Sequence, residues 1–213
     1  YGAAFRLPPI SGHGADKPVL VVSSGALGQL VEIALVKSFE IAGYRPVLLA
    51  EYDRRVLAYY REAGIRDVRD WMDVLRPVPK ADVDGMMASL GSFEQLLKAE
   101  YYGARVGKYA ASTALRHLRV GRLDLTDAAV REALLPFLSR AMAYAKASQE
   151  LVQIVQPQLV LSVDPGYSPR GELFDLCLAA GIETITWNAA HKNNAVILKR
   201  YSLANRDVHP VSL

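Results

Sequence analysis

Val19 to Ser23 (VLVVS) is an unbroken apolar run rich in β-branched residues, the pattern of a strand covered on both faces. Ser24-Gly25-Ala26-Leu27-Gly28 makes a turn. Leu27, Leu30, Val31, Ala34, Leu35 and Ile41 then recur at helical spacing until Gly43 closes the helix. Pro46 to Ala50 (PVLLA) predicts a second strand, and Arg54 to Gly64 a second helix with Gly64 as its C-cap. Strand, helix, strand, helix is the βαβ rhythm, whose crossover is right-handed in nearly all cases, so a doubly wound parallel sheet is expected. Residues 1 to 17, with Pro8, Pro9, Gly12 and Gly14, read as an irregular lead-in.

The middle of the chain, about Asp70 to Gln156, leaves that rhythm for helix. Asp84 to Leu97 and Lys98 to Arg119 read as helical, interrupted at Gly91, Gly103 and Gly107. Thr126 is the expected N-cap of a long helical segment that Pro136 should kink or restart. Leu138, Met142, Ala145, Val152 and Val155 continue the stripe to Pro157. The alternation resumes with a strand at Leu159 to Val163, a helix at Gly171 to Ala180 and a strand at Thr184 to Trp187. The expected organisation is therefore one α/β domain over 1–213: a first βαβ region at 1–69, a helical block at 70–156, and a second β-α-β region at 157–213.

Composition narrows the class without naming a chemistry. The 213 residues are 51% hydrophobic and 22% charged, which is ordinary for a globular chain that buries a sizeable core. The net charge of +3 is too small to argue for a nucleic-acid partner. A single cysteine, Cys177, rules out an internal disulfide and a cysteine-based metal cluster, and its apolar helical setting reads as a small buried hydrophobe. No run approaches the roughly 18 apolar residues of a membrane-spanning helix, and no signal-peptide pattern opens the chain. A cytoplasmic location is expected. The start at Tyr1 and the stop at Leu213, without a closing helix, read as a piece of a longer polypeptide.

Four constellations carry candidate chemistry. The first is Ser24-Gly25-Ala26-Leu27-Gly28, where glycines allow close backbone approach and a helix N-terminus offers N–H groups to an anion or hydroxyl. The spacing matches neither G-x-G-x-x-G nor G-x-x-x-x-G-K-[ST], which counts against a nicotinamide enzyme; a tight turn with no ligand is the plainer account. The second is Asp164-Pro165-Gly166-Tyr167-Ser168-Pro169-Arg170-Gly171-Glu172. Glu172 can complement a helix dipole while Arg170 pairs with Asp164. Alternatively Glu172 or Asp164 is a general base on a sugar hydroxyl, with Arg170 gripping phosphate or carboxylate and Tyr167 contacting ligand.

The third is Trp187-Asn188-Ala189-Ala190-His191-Lys192-Asn193-Asn194. Side chains so polar, straight after a buried strand, are either solvated or turned to a ligand. Trp187 can stack on a sugar ring, and Asn188, Asn193 and His191 can exchange hydrogen bonds with hydroxyls. Lys192 is a candidate anion contact, and no histidine spacing suggests a metal site. The fourth runs from Tyr101 to Tyr109 and on through Arg116, His117 and Arg119. Basic and aromatic residues interleaved in this way, Lys108 and Arg116 included, suit RNA or DNA, the wall of a cleft for an anionic glycan or lipid phosphate, or simply a solvated helix face. Lys199, Arg200 and Arg206 form one more basic cluster.

SSGALGQLVEIALVKSFEIAGYRPVLL and DPGYSPRGELFDLCLAAGIETITWNAAHKNNAVILKRY together resemble the amino-terminal half of GT-B glycosyltransferases, in particular bacterial enzymes that build capsular and other surface polysaccharides. The resemblance implies a Rossmann-like parallel sheet flanked by helices, one of two such domains facing across a cleft. It implies that this domain holds a carbohydrate acceptor, with Glu172, Asp164 or His191 as base. The nucleotide-sugar donor would bind mainly a carboxy-terminal domain beyond Leu213, so these residues alone should not turn over. No metal and no bound cofactor are implied, and a lipid-linked acceptor would bring peripheral membrane association. The alternatives are a non-catalytic glycan- or protein-binding domain and another sugar-nucleotide enzyme such as an epimerase.

Overall fold

The computed structural model describes residues 17–25, 28–50, 54–190 and 195–208. Six strands form one sheet: β1 (Pro18–Val22), β2 (Arg45–Ala50), β3 (Val68–Asp70), β4 (Leu159–Val163), β5 (Glu183–Ala189) and β6 (Val196–Tyr201). Their order is β3-β2-β1-β4-β5-β6, parallel throughout except for β6, which runs antiparallel to β5. Flanked by helices, this is a Rossmann-like α/β sheet, as the apolar runs predict. The helices are α1 (Gln29–Ile41), α2 (Arg54–Glu62), α3 (Trp71–Val74), α4 (Lys80–Ser89), α5 (Phe93–Lys98), α6 (Val106–Leu118), α7 (Ala128–Val155) and α8 (Arg170–Ala179).

The chain forms two compact units, 1–74 with 151–164 and 181–213, and 75–150 with 165–180. The first contains the sheet. All five residues of β1 are buried, which is why it reads as a continuous apolar run rather than an alternating one. Val19 and Val21 share a core with Leu48, Leu159 and Leu161, covered by Ile33 and Val36 of α1 and Tyr60 of α2. Gly64, at φ +80, closes α2 in the left-handed conformation that a side chain would strain.

The second unit is helical, with a core of Val83, Met87, Leu96, Val106, Ala110, Leu134, Leu138 and Met142. Gly107 lets α6 lie against α5, since a Cβ there would collide with the Leu96 carbonyl. Its N–H donates to Ala99 O at 3.1 Å. Arg131 closes α4 by donating to Leu90 O at 2.6 Å and Met87 O at 2.5 Å, satisfying carbonyls left over at a helix end.

The boundaries differ from expectation in instructive places. α7 continues through Pro136 as one helix. Its cap is Asp127, whose carboxylate accepts Ala129 N–H at 2.8 Å, while Thr126 donates its hydroxyl to Asp124. Strand β3, only Val-Arg-Asp, is too short and polar to show a period. β5 runs on to Ala189, and β6 pairs back on it from Ala189↔Val196 to Thr184↔Tyr201. Trp187 to Ala189, read as the start of a polar loop, therefore belong to a strand paired antiparallel with β6.

Candidate functional site

In an open α/β sheet the ligand crevice lies outside the carboxyl ends of the strands, where the strand order reverses direction. Here that point falls between β1 and β4. β1 leads through α1 to β2 on one side, and β4 is followed by β5 on the other. The turn after β1 and Asp164 after β4 thus share one edge. The carboxyl end of β5 shares it too, because β4 and β5 are parallel with Val163 opposite Trp187.

The turn after β1 is held by a buried carboxylate. Glu32 of α1, fully buried, accepts the Ser24 N–H at 2.7 Å and the Tyr60 hydroxyl on its other oxygen. Tyr60 also bonds Ser23 Oγ at 2.9 Å, and Ser23 Oγ accepts the Gly25 N–H at 3.1 Å. Burial first, and the charge of Glu32 second, push the Tyr60 hydroxyl well above its ordinary ionisation range. Gly25, at φ +79, completes the turn.

Two buried polar atoms beside this turn, Ser24 Oγ and Trp187 Nε1, have no hydrogen-bond partner among the described residues. Both residues converge on Gly28. A Cβ there would overlap Ser24 Oγ and come within 2.6 and 2.7 Å of the Trp187 ring. We expect Gly28→Ala to cost about 1–3 kcal/mol through overpacking, read as a lower urea midpoint at unchanged m-value. A neutral result would mean that α1 shifts freely at its first turn.

Asp164 is exposed at the end of β4, and Asn188 is half-buried within β5 rather than in a loop. Trp187 is only 5% exposed and packs in the sheet core. Its ring therefore has no open face for a sugar to stack on, and the expectation of a stacking platform is corrected here. His191, Lys192 and Asn193, with Asn194, lie outside the described residues.

The second unit holds its own polar cluster. Asp175 of α8, fully buried, accepts Arg105 Nη2 at 2.7 Å, Nε at 2.8 Å and the Arg105 backbone N–H at 3.1 Å. The Tyr109 hydroxyl hydrogen-bonds the same carboxylate. Gly171 leaves room for the Tyr109 ring, which a Cβ would strike. Glu172, also fully buried, accepts the Ser168 hydroxyl through Oε1, while Oε2 has no partner among the described residues. Burial pushes the Glu172 carboxyl up to about 8, with Asp175 adding and the Ser168 hydrogen bond opposing. Glu172 is therefore a neutral acid through most of the physiological range. Burial likewise lifts the Cys177 thiol to about 12, leaving it inert.

Tyr167 and Arg116, expected separately, meet: the guanidinium lies 5.3 Å from the ring centroid in cation–π contact. Lys108 and Arg170 are half-buried on α6 and α8. Glu32, Tyr60 and Asp175 were not singled out from sequence, and Arg105, read as one basic group of the Tyr101 to Tyr109 constellation, is instead the partner of buried Asp175. The available signal was an acid inside an apolar stripe: Glu32 beside Ile33 and Val36, and Asp175 within Leu173 to Leu178. An acid there must find a buried partner. Among the described residues no group of three or more His, Cys, Asp or Glu is arranged to hold a metal, and no helix is long and apolar enough to cross a membrane.

No protein-family model, curated protein or solved structure matches this chain.

Proposed function

We propose that this chain is the acceptor-side domain of a GT-B-type glycosyltransferase, moving a sugar from a nucleotide-sugar donor to a bacterial glycan of the capsular or surface class. The observation that supports this reading is the edge formed by the β1 turn and Asp164 at the switch point of a 3-2-1-4-5 parallel sheet. That turn is stiffened by Glu32 and Tyr60 and lacks a dinucleotide fingerprint. An acceptor hydroxyl attacks the anomeric carbon, and the bond from that carbon to the nucleotide diphosphate breaks. The hydroxyl proton passes to a carboxylate.

Of the candidate bases among the described residues, Asp164 is exposed at a strand end, whereas Glu172 is buried and protonated below about pH 8. Asp164 therefore takes the role of base in this proposal, and Glu172 that of a buried acid supporting its loop. His191 and Lys192, which lie outside the described residues, stay in the reading as ligand contacts.

The test is nucleoside diphosphate release by the full-length protein over a panel of nucleotide sugars and glycan acceptors. Asp164→Asn should lower kcat about a hundredfold or more, as loss of a general base does, and leave KM within a few-fold. Transfer by the variant at the wild-type rate would remove Asp164 from the mechanism. Glycan binding without any release of nucleotide would favour a non-catalytic binding domain.

A further inference from the structure

Residues 116–122, Arg-His-Leu-Arg-Val-Gly-Arg, run from the last turn of α6 into the connection to α7, and every one is exposed. Leu118 and Val120 are 38% and 43% exposed, side by side with four groups of basic type. No acidic residue occurs from Tyr101 to Leu123. Arg116 and His117 complement the α6 dipole, and Arg116 is braced on Tyr167. That account stops short of Arg119 and Arg122, which lie past the helix; neither forms an ion pair among the described residues, though the charge of Arg122 acts on Asp124 two residues on.

Arg119 closes α6 at φ 57, ψ 39, with its N–H donated to Leu115 O. Glycine or asparagine is the usual residue in that conformation. Among the described residues Tyr102 and Gln156 share that left-handed conformation, and at Arg119 it carries a long cation.

We propose that this stretch docks the protein on an anionic membrane surface, with the arginines meeting headgroup phosphates and Leu118 and Val120 entering the interface. A soluble polyanion would attract the same arginines. It would give no reason to hold a leucine and a valine in water between them, whereas an interfacial segment combines both. The nearest acids follow the stretch and are engaged in turns: Asp124 accepts from Thr126, and Asp127 caps α7. Their charge trims the local field without lying within the segment. The inference rests on this surface alone and stands or falls apart from the transfer reading.

The test is co-sedimentation of the purified protein with vesicles of phosphatidylcholine, alone and mixed with phosphatidylglycerol. The protein should pellet with the anionic vesicles, lose them as salt rises, and stay soluble with the neutral ones. Arg119→Ser and Arg122→Ser should each weaken binding about fivefold, the equivalent of about 1 kcal/mol per basic residue near such a surface. Leu118→Ser with Val120→Ser should weaken it at least about threefold through lost apolar burial. Unchanged melting curves, expected for exposed positions, separate loss of binding from loss of fold. Equal behaviour on both vesicle types overturns the proposal. So does a serine pair that binds vesicles like wild type while the arginine variants weaken, or capture by soluble polyphosphate with no vesicle binding; those results mark a soluble polyanion instead.

Discussion

Asp175→Ala should destabilise the protein by about 3–5 kcal/mol, the cost of leaving a buried charge without its partner. The side chain of Arg105 is 9% exposed and that of Asp175 is not exposed at all, and three donors of Arg105 converge on the one carboxylate. Removing the acid also strands the Tyr109 hydroxyl, which hydrogen-bonds the same group. Urea unfolding followed by circular dichroism reads the loss as a drop in midpoint. The double variant Arg105→Met with Asp175→Leu should recover much of it, because two apolar groups need no mutual neutralisation. If Asp175→Ala costs less than about 1 kcal/mol, the range of a surface pair, water reaches this pair and the buried reading is wrong.

Glu172 should make the protein less stable as pH rises through neutrality, the reverse of what a salt-bridged carboxylate does. Its folded carboxyl titrates near 8 against an ordinary 4.5. Below about 4.5 both folded and unfolded states hold the proton. Between 4.5 and 8 only the folded state holds it, so stability falls with rising pH by up to about 1.4 kcal/mol per unit. The loss is complete above about 8. Glu172→Gln, which is neutral at every pH and still offers an oxygen to Ser168, should flatten that slope. Melting temperatures from pH 5 to 9 give the comparison, and parallel curves for wild type and variant would exclude Glu172 as the source.

The large-scale architecture was legible because it is written in period. The VLVVS and LVLSV runs could only be strands covered on both faces, and the residues between Asp70 and Gln156 kept a helical spacing. The elements that escaped are those decided by tertiary partners. β6 shows alternation only once it is known to lie on β5, and Val68–Asp70 pairs as a strand because Leu48 to Ala50 offer an open edge.

The same division holds at the candidate site. Loops rich in glycine and polar groups marked the edge of the sheet, and Ser24, Gly28 and Asp164 do lie there. What organises the edge was hidden inside helices: Glu32 is one residue of α1, and its role depends on Tyr60, far away in sequence. Trp187 shows the converse error. An aromatic residue beside a polar loop resembles a binding platform, yet the alternation of β5 turns its ring into the core.

The central pairing of the sheet joins Val19 to Leu159 across the whole helical segment. Closing so long a loop is entropically costly and slow, whereas helices that touch their neighbours in sequence form early. The β1–β4 seam should therefore be among the last contacts made during folding. Until it closes, the turn after β1 and Asp164 are distant points on a flexible chain, so ligand recognition at this edge would report completion of the fold.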